Sequence, residues 1–150
     1  MEPSGKTKKA SESYKRIETI GEGAYGKAHL VQCSSDGSYA VIKQVEISKM
    51  DEDEKKATLR EARILEVLNH PFITKFKEVY RTKRGILCIV MEYCDGGDLA
   101  KRIKDRQDKY KTTGVWQYFS EDQVLNWFTQ ICLGMKHCHD RKILHRDLKA

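Results

Sequence analysis

Nothing in the 150-residue sequence approaches the apolar run of a membrane-spanning helix. The longest such run, Ile86 to Met91, has the length of a strand, whereas a span needs roughly 18 apolar residues. No membrane partner is expected. The N-terminal Met1-Glu2-Pro3-Ser4-Gly5-Lys6-Thr7-Lys8-Lys9 has no apolar stretch of the kind that opens a secretory signal, and the 5 cysteines show no paired spacing. Both features point to a reducing, intracellular compartment, and a cytoplasmic location is expected. Repeats and low-complexity tracts are absent as well. A concentrated block of one charge is also lacking: 28 Lys and Arg are interleaved with 22 Asp and Glu for a net charge of +6, and only Lys6, Lys8 and Lys9 form a compact cluster. That pattern describes a solvated surface with a basic tail, so no nucleic-acid partner is expected. His137, Cys138 and His139, with Cys132 nearby, fit no zinc-ligand spacing, and neighbouring helical residues point in different directions; no metal is assigned to them.

What is present is a change of hydrophobic period along the chain. Residues 1 to 13 are polar and basic and are expected to be disordered; a domain begins at Tyr14. Alternating residues before Gly21, then Lys27 to Cys33 and Tyr39 to Val45 with Ser34-Ser35-Asp36-Gly37 between them, predict a meander of antiparallel strands, because Asp-Gly supplies the positive φ angles of a tight turn. From Asp51 the period becomes helical. Asp51 and Glu54 form a capping-box pair, Leu59, Ala62, Leu65 and Leu68 make an apolar stripe, and Asn69-His70-Pro71 ends it. Phe72 to Tyr80 and Gly85 to Tyr93 read as two further strands joined through Arg81 to Arg84. Asp95-Gly96-Gly97-Asp98 then breaks the sheet and caps a short helix through Ile103; Lys104 to Phe119 is polar and reads mostly as loop. Ser120 with Gln123 is a second capping-box signal. Behind it Val124, Trp127, Phe128, Ile131, Met135 and Cys138 recur at helical spacing, a core-packing stripe rather than a ligand box.

Three segments carry chemistry. Gly21-Glu22-Gly23-Ala24-Tyr25-Gly26 matches G-x-G-x-x-G, a weak signal alone because dinucleotide-binding folds share it. A dinucleotide fingerprint needs a helix directly after the third glycine, whereas Lys27 onward alternates toward an Asp-Gly turn, so the glycines join two strands. Glycines in such a hairpin let backbone approach phosphates, with Tyr25 at the tip able to shield them from water. Next, Ala40-Val41-Ile42-Lys43 puts a lysine on an apolar strand, where its charge needs an anionic partner; Glu61 on the following helix is the candidate. Finally, Ile143-Leu144-His145-Arg146-Asp147-Leu148-Lys149 matches the H-R-D-L-K signature of a protein kinase catalytic loop.

Glycine loop, strand lysine, helix glutamate and His-Arg-Asp occur in kinase order, and the chain resembles the protein kinases. Gly26-Lys27-Ala28, Val41-Ile42-Lys43, Ile89-Val90-Met91-Glu92-Tyr93-Cys94-Asp95-Gly96-Gly97-Asp98-Leu99 and Asp140-Arg141-Lys142-Ile143-Leu144-His145-Arg146-Asp147 together resemble the NIMA-related serine/threonine kinases. The resemblance implies an α+β, kinase-like fold: a complete five-stranded antiparallel N-lobe with one long helix over residues 14–93, then over 94–150 the hinge and the first helices of a C-lobe. It implies that ATP is bound by Gly21, Gly23, Tyr25, Gly26, Ala28, Val41, Lys43, Glu61, the gatekeeper Met91, and the backbone of Glu92 and Cys94. Ala28 stands where kinases at large usually carry valine. In the same terms Asp147 receives or orients the substrate hydroxyl proton, Lys149 sits against the transferring phosphoryl group, and Leu65, Phe76 and His145 fall on the regulatory hydrophobic column. Protein substrates bearing Ser or Thr are the implied partners, and association with microtubule-based structures is a family-level expectation.

The kinase pattern also implies magnesium, held by an asparagine five residues after the catalytic aspartate and by an Asp-Phe-Gly. The 150 residues end at Ala150 and include neither. The expectation is therefore a kinase sequence that, as these 150 residues alone, lacks metal ligands and is inactive in phosphoryl transfer. The alternative is a non-catalytic module that binds nucleotide or a partner protein, the partner covering helix residues Trp127, Phe128 and Ile131 left partly exposed.

Overall fold

The structure is a computed structural model and describes residues 13–23 and 26–150. The expected disordered tail, apart from Ser13, and the proposed tip residue Tyr25 lie outside the described residues. The chain divides into two compact units. One runs to Asn69 and resumes over Thr74–Tyr93; the other comprises His70–Ile73 and Cys94–Ala150.

The first unit is built on a five-stranded antiparallel sheet: β1 (Tyr14–Gly23), β2 (Gly26–Cys33), β3 (Tyr39–Glu46), β4 (Phe76–Arg81) and β5 (Ile86–Glu92), in the order β1-β2-β3-β5-β4. The turn between β2 and β3 closes as the sequence dictates: Gly37 takes φ 71°, and Ser38 N–H donates to the Asp36 carboxylate at 2.9 Å. That bond, made to the ionised form, holds the Asp36 carboxyl below its ordinary range. Strand register sorts the side chains into two faces. Ala28, Lys43 and Ile89 stand opposite one another across three strands, as do Leu30, Val41 and Met91; His29, Ile42 and Val90 occupy the other face.

Each face has its own core. Val45, Ile47, Leu87 and Ile89 are covered by helix α1 (Glu52–Val67) through Ala62, with Leu65 and Phe76 packed at the margin. On the opposite face Val31, Ala40, Ile42, Cys88 and Val90 form a second cluster under Tyr14, Tyr80 and Ile86. A fully buried Ile or Val of this kind contributes about 1.5–3 kcal/mol of transfer free energy. The helix begins where the cap predicts. The Asp51 side chain accepts from Asp53 and Glu54 N–H, and the Glu54 carboxylate accepts from Asp51 N–H. Leu59, expected on the apolar stripe, is exposed. Strand β4 starts at Phe76 rather than at Phe72, because Phe72 N–H donates to His70 Nδ1 and Ile73 N–H to the His70 carbonyl, closing a turn after Pro71.

In the second unit, α2 spans Leu99–Thr113, well beyond the Ile103 expected. Asp98 caps it by accepting from Lys101 N–H at 2.7 Å, and nothing in the polar Lys-Asp-Arg-Gln run opposes helix until Gly114 stops it at φ 68°. Polarity marks this helix as solvated, which periodicity alone misreads as loop. The Arg106 guanidinium donates to the carbonyls of Gln117 and Tyr118, both at 2.7 Å, and stacks 3.9 Å from the Phe119 ring, fastening the segment after α2. Helix α3 (Glu121–Asp140) carries the Ser120–Gln123 capping box. Cys138 of its stripe is buried, whereas Val124, Phe128 and Ile131 are exposed among the described residues and Trp127 is half-buried against Phe119. No helix among the described residues is long and apolar enough to cross a membrane.

Candidate functional site

The candidate residues fall in both units, and each set has its own geometry. In the first unit β1 and β2 join as a hairpin in which Gly21 faces Ala28 and Gly23 faces Gly26. Gly26 cannot be replaced without displacement. Its φ is 148°, and a Cβ there would lie 1.8 Å from the Gln44 carbonyl oxygen on β3. Gly21 and Gly23 are exposed, and a Cβ on Gly23 would meet nothing within 4 Å. The third glycine is therefore fixed by the sheet, while the first two leave an accessible backbone edge.

Lys43 projects from β3 on the face that carries α1, and its Nζ lies 3.4 Å from Glu61 Oε1. Its side chain is 42% exposed and that of Glu61 62%, so the lysine is less buried than the apolar strand around it suggested. A pair this open contributes no more than about 1 kcal/mol to stability. Its value is directional: it holds an ammonium group at the rim of a cavity of about 210 Å³ lined by Lys43, Val45, Met50, Ala57, Thr58, Glu61 and Ile89. Ala28 and Val41 lie on the same sheet face as Lys43. At the end of β5 Met91 is half-buried, and Glu92 is clamped by Lys75, whose N–H donates to Glu92 Oε1 at 2.6 Å and whose carbonyl accepts from Glu92 N–H at 2.9 Å. Sequence reasoning missed Lys75 at Glu92 and Gln44 at Gly26 because both contacts use their backbone atoms, which leave no signal in side-chain type.

In the second unit the Cys94 carbonyl accepts from Gly97 N–H at 3.4 Å. The segment after α3 has no regular structure, and it places Asp147 and Lys149 together: Lys149 Nζ lies 3.0 Å from Asp147 Oδ2 and 3.4 Å from Oδ1, with both side chains 73% exposed. Asp147 N–H donates to His145 Nδ1 at 3.2 Å. Between them Arg146 holds φ 61°, a left-handed conformation uncommon for a side chain of this size and concentrated at functional loops.

The family model described as "Protein kinase domain" matches residues 14–150. The chain belongs to the protein kinase family. Within it, this chain is 50% identical over 139 residues to human serine/threonine-protein kinase Nek5 and 48% identical over 139 residues to mouse serine/threonine-protein kinase Nek1. It is 42% identical over 139 residues to mouse serine/threonine-protein kinase Nek3. Each match covers 93% of this chain but only 18%, 11% and 25% of the respective relatives. The chain thus spans at most a quarter of the length of these relatives. Family membership implies magnesium. Among the described residues no group of three or more His, Cys, Asp or Glu is placed to hold a metal ion.

Proposed function

We propose that the first unit binds ATP and that the protein transfers the γ-phosphate to Ser or Thr hydroxyls of protein substrates, as a serine/threonine kinase of the NIMA-related type. The observation that carries this reading is the Lys43 ammonium directed by Glu61, on the sheet face shared by Ala28 and Val41 and beside a strand hairpin whose glycines leave backbone open. A lysine held by a carboxylate presents a point charge to a polyphosphate, and glycine backbone packs against phosphate oxygens without side-chain interference. The apolar faces of Ala28 and Val41 suit a flat heterocycle. The Asp147 carboxylate, with Lys149 beside it, supports proton acceptance from a hydroxyl nucleophile, and the ammonium of Lys149 is available to the charge that develops on the moving phosphoryl group.

Two measurements test the reading. A thermal-shift titration with ATP is expected to stabilise the chain, and Lys43→Met is expected to remove that shift; a shift untouched by the substitution overturns the pocket. Incubation with labelled ATP, magnesium and casein, compared with Asp147→Asn, tests transfer. Signal lost in the variant supports the assignment, and equal signal in both overturns transfer by these residues.

A further inference from the structure

A continuous line of polar side chains runs from β1 across β2 and β3 to β5 on the sheet face opposite Lys43. It starts on β1, where Arg16 Nη2 donates to Thr19 Oγ1 at 2.6 Å. Thr19 Oγ1 lies 3.1 Å from His29 Nδ1 on β2, and His29 Nε2 lies 3.2 Å from Gln44 Oε1 on β3. Gln44 Nε2 reaches Cys88 Sγ on β5 at 4.0 Å, and Tyr80 on β4 stands opposite Cys88. At its centre His29 is 2% exposed, the one buried polar side chain among the described residues.

The proton positions along this line follow from its fixed donors and acceptors. Gln44 Oε1 can only accept, so a neutral ring keeps its hydrogen on Nε2 and leaves Nδ1 to accept from the Thr19 hydroxyl, whose oxygen accepts in turn from Arg16. Nδ1 therefore carries the lone pair and Nε2 the hydrogen, which goes to Gln44 Oε1; the Gln44 amide then donates onward to Cys88. Every bond is made with a neutral imidazole. A proton added at Nδ1 would remove the acceptor of the Thr19 hydroxyl, forcing that hydroxyl to turn away, and would set a second positive charge beside Arg16. No carboxylate compensates. The charged or titratable groups that face His29 are Arg16 and Tyr14 on β1, Lys27 on its own strand, and Cys88 and Tyr80 on β5 and β4, while β3 contributes the neutral Gln44.

What His29 joins is informative. Thr19 lies immediately before the irregular register that leads β1 into Gly21, and Gln44 is the residue whose carbonyl sits against Gly26. The imidazole thus holds the strand that enters the glycine loop and the residue that limits the strand leaving it. We propose that His29 is a positioning residue for nucleotide binding, a latch that sets the glycine hairpin through Thr19 and Gln44 and that releases when its imidazole is protonated. The proposal rests on the ATP-binding reading above. Burial, and secondarily the Arg16 guanidinium, lower the His29 pKa below the usual imidazole value, consistent with a ring kept neutral in the latched state.

The test uses the whole chain, with His29→Phe, which keeps a flat ring and removes both bonds, and His29→Gln, whose amide can accept from Thr19 and donate to Gln44. Affinity for a fluorescent N-methylanthraniloyl ATP is measured from pH 5.5 to 8.0, with circular dichroism melting to establish folding and amide exchange over residues 15–32 as a nucleotide-free readout. At pH 7.5 His29→Phe is expected to bind several-fold more weakly than wild type and to lose exchange protection at Thr19 and His29, while His29→Gln recovers both. Wild-type affinity is expected to fall below pH 6.5 more steeply than that of His29→Gln, a comparison that cancels protonation of the nucleotide itself. Two outcomes overturn the latch: His29→Phe with wild-type exchange protection, or the same acid dependence in His29→Gln as in wild type. Absence of nucleotide binding by the wild-type chain overturns the ATP reading instead, and the exchange data then decide the latch alone.

Discussion

Two glycines of one motif make opposite demands, and substituting each with alanine separates sheet geometry from loop accessibility. Gly26 combines φ 148° with a prospective Cβ only 1.8 Å from the Gln44 carbonyl oxygen. Backbone in that region costs a side chain about 1–3 kcal/mol. Relieving the overlap means moving β2 from β3 and weakening a ladder hydrogen bond worth about 0.5–1.5 kcal/mol. Gly26→Ala is therefore expected to destabilise the first unit by roughly 2–4 kcal/mol, which for a domain of this size lowers Tm by roughly 10–25 °C. Gly23→Ala meets nothing within 4 Å, so the main effect is a less flexible unfolded chain and a gain of about 0.4–1 kcal/mol. Circular dichroism melts of both variants, with amide exchange at β2 and β3, measure the contrast. Trp116 and Trp127 lie in the other unit, so their fluorescence is the wrong probe. If Gly26→Ala and Gly23→Ala melt within ~2 °C of each other, the close approach to Gln44 is not a constraint and the reasoning from Cβ geometry fails.

Other substitutions have sharper signs than sizes. Glu61→Gln is expected to lower stability by no more than about 1 kcal/mol because the Lys43 pair is exposed, yet to weaken ATP binding measurably by calorimetry; a large Tm loss would mean the pair is structural. Asp51→Ala removes both acceptor bonds of the α1 capping box and is expected to cost about 1 kcal/mol in urea denaturation. Burial, with help from Glu78 for Tyr14 and from Cys88 for Tyr80, raises the pKa of both phenols well above the ordinary tyrosine value. Each thus keeps its proton in the folded state at a pH where the unfolded chain has lost it. Their contribution is full below about pH 10 and is lost as pH rises further, so folded protein is expected to show two phenols titrating later than the rest in the phenolate absorbance band.

The motif residues were legible because their chemistry is written in side-chain identity and order. Four strands (β1, β2, β3 and β5), α1 and both capping boxes followed from period and cap signals, since those signals act within a few residues. The start of β4 was not legible, because His70 draws Phe72 and Ile73 into a turn that a run of apolar residues conceals. Nor was the length of α2, whose residues form a good helix but bury nothing. His29 is the instructive case. Alternation places it between Ala28 and Leu30 on the opposite face, but its partners come from the strands on either side, and only the sheet register reveals that Thr19, His29 and Gln44 meet.

The bond between the Tyr14 hydroxyl and Glu78 joins β1 to β4, which occupy opposite edges of the sheet and are separated by 64 positions in sequence. It runs over the face that covers Val31, Ala40, Ile42, Cys88 and Val90. A tie between the two outermost strands can form only after every intervening strand has found its neighbour, so it belongs to the late side of the folding barrier. Its strength governs how long the folded state persists, not how fast it is reached. Tyr14→Phe should accordingly shift the unfolding arm of a chevron plot upward without changing its slope, while leaving the refolding arm in place, and the tie acts as a clasp whose role is kinetic endurance.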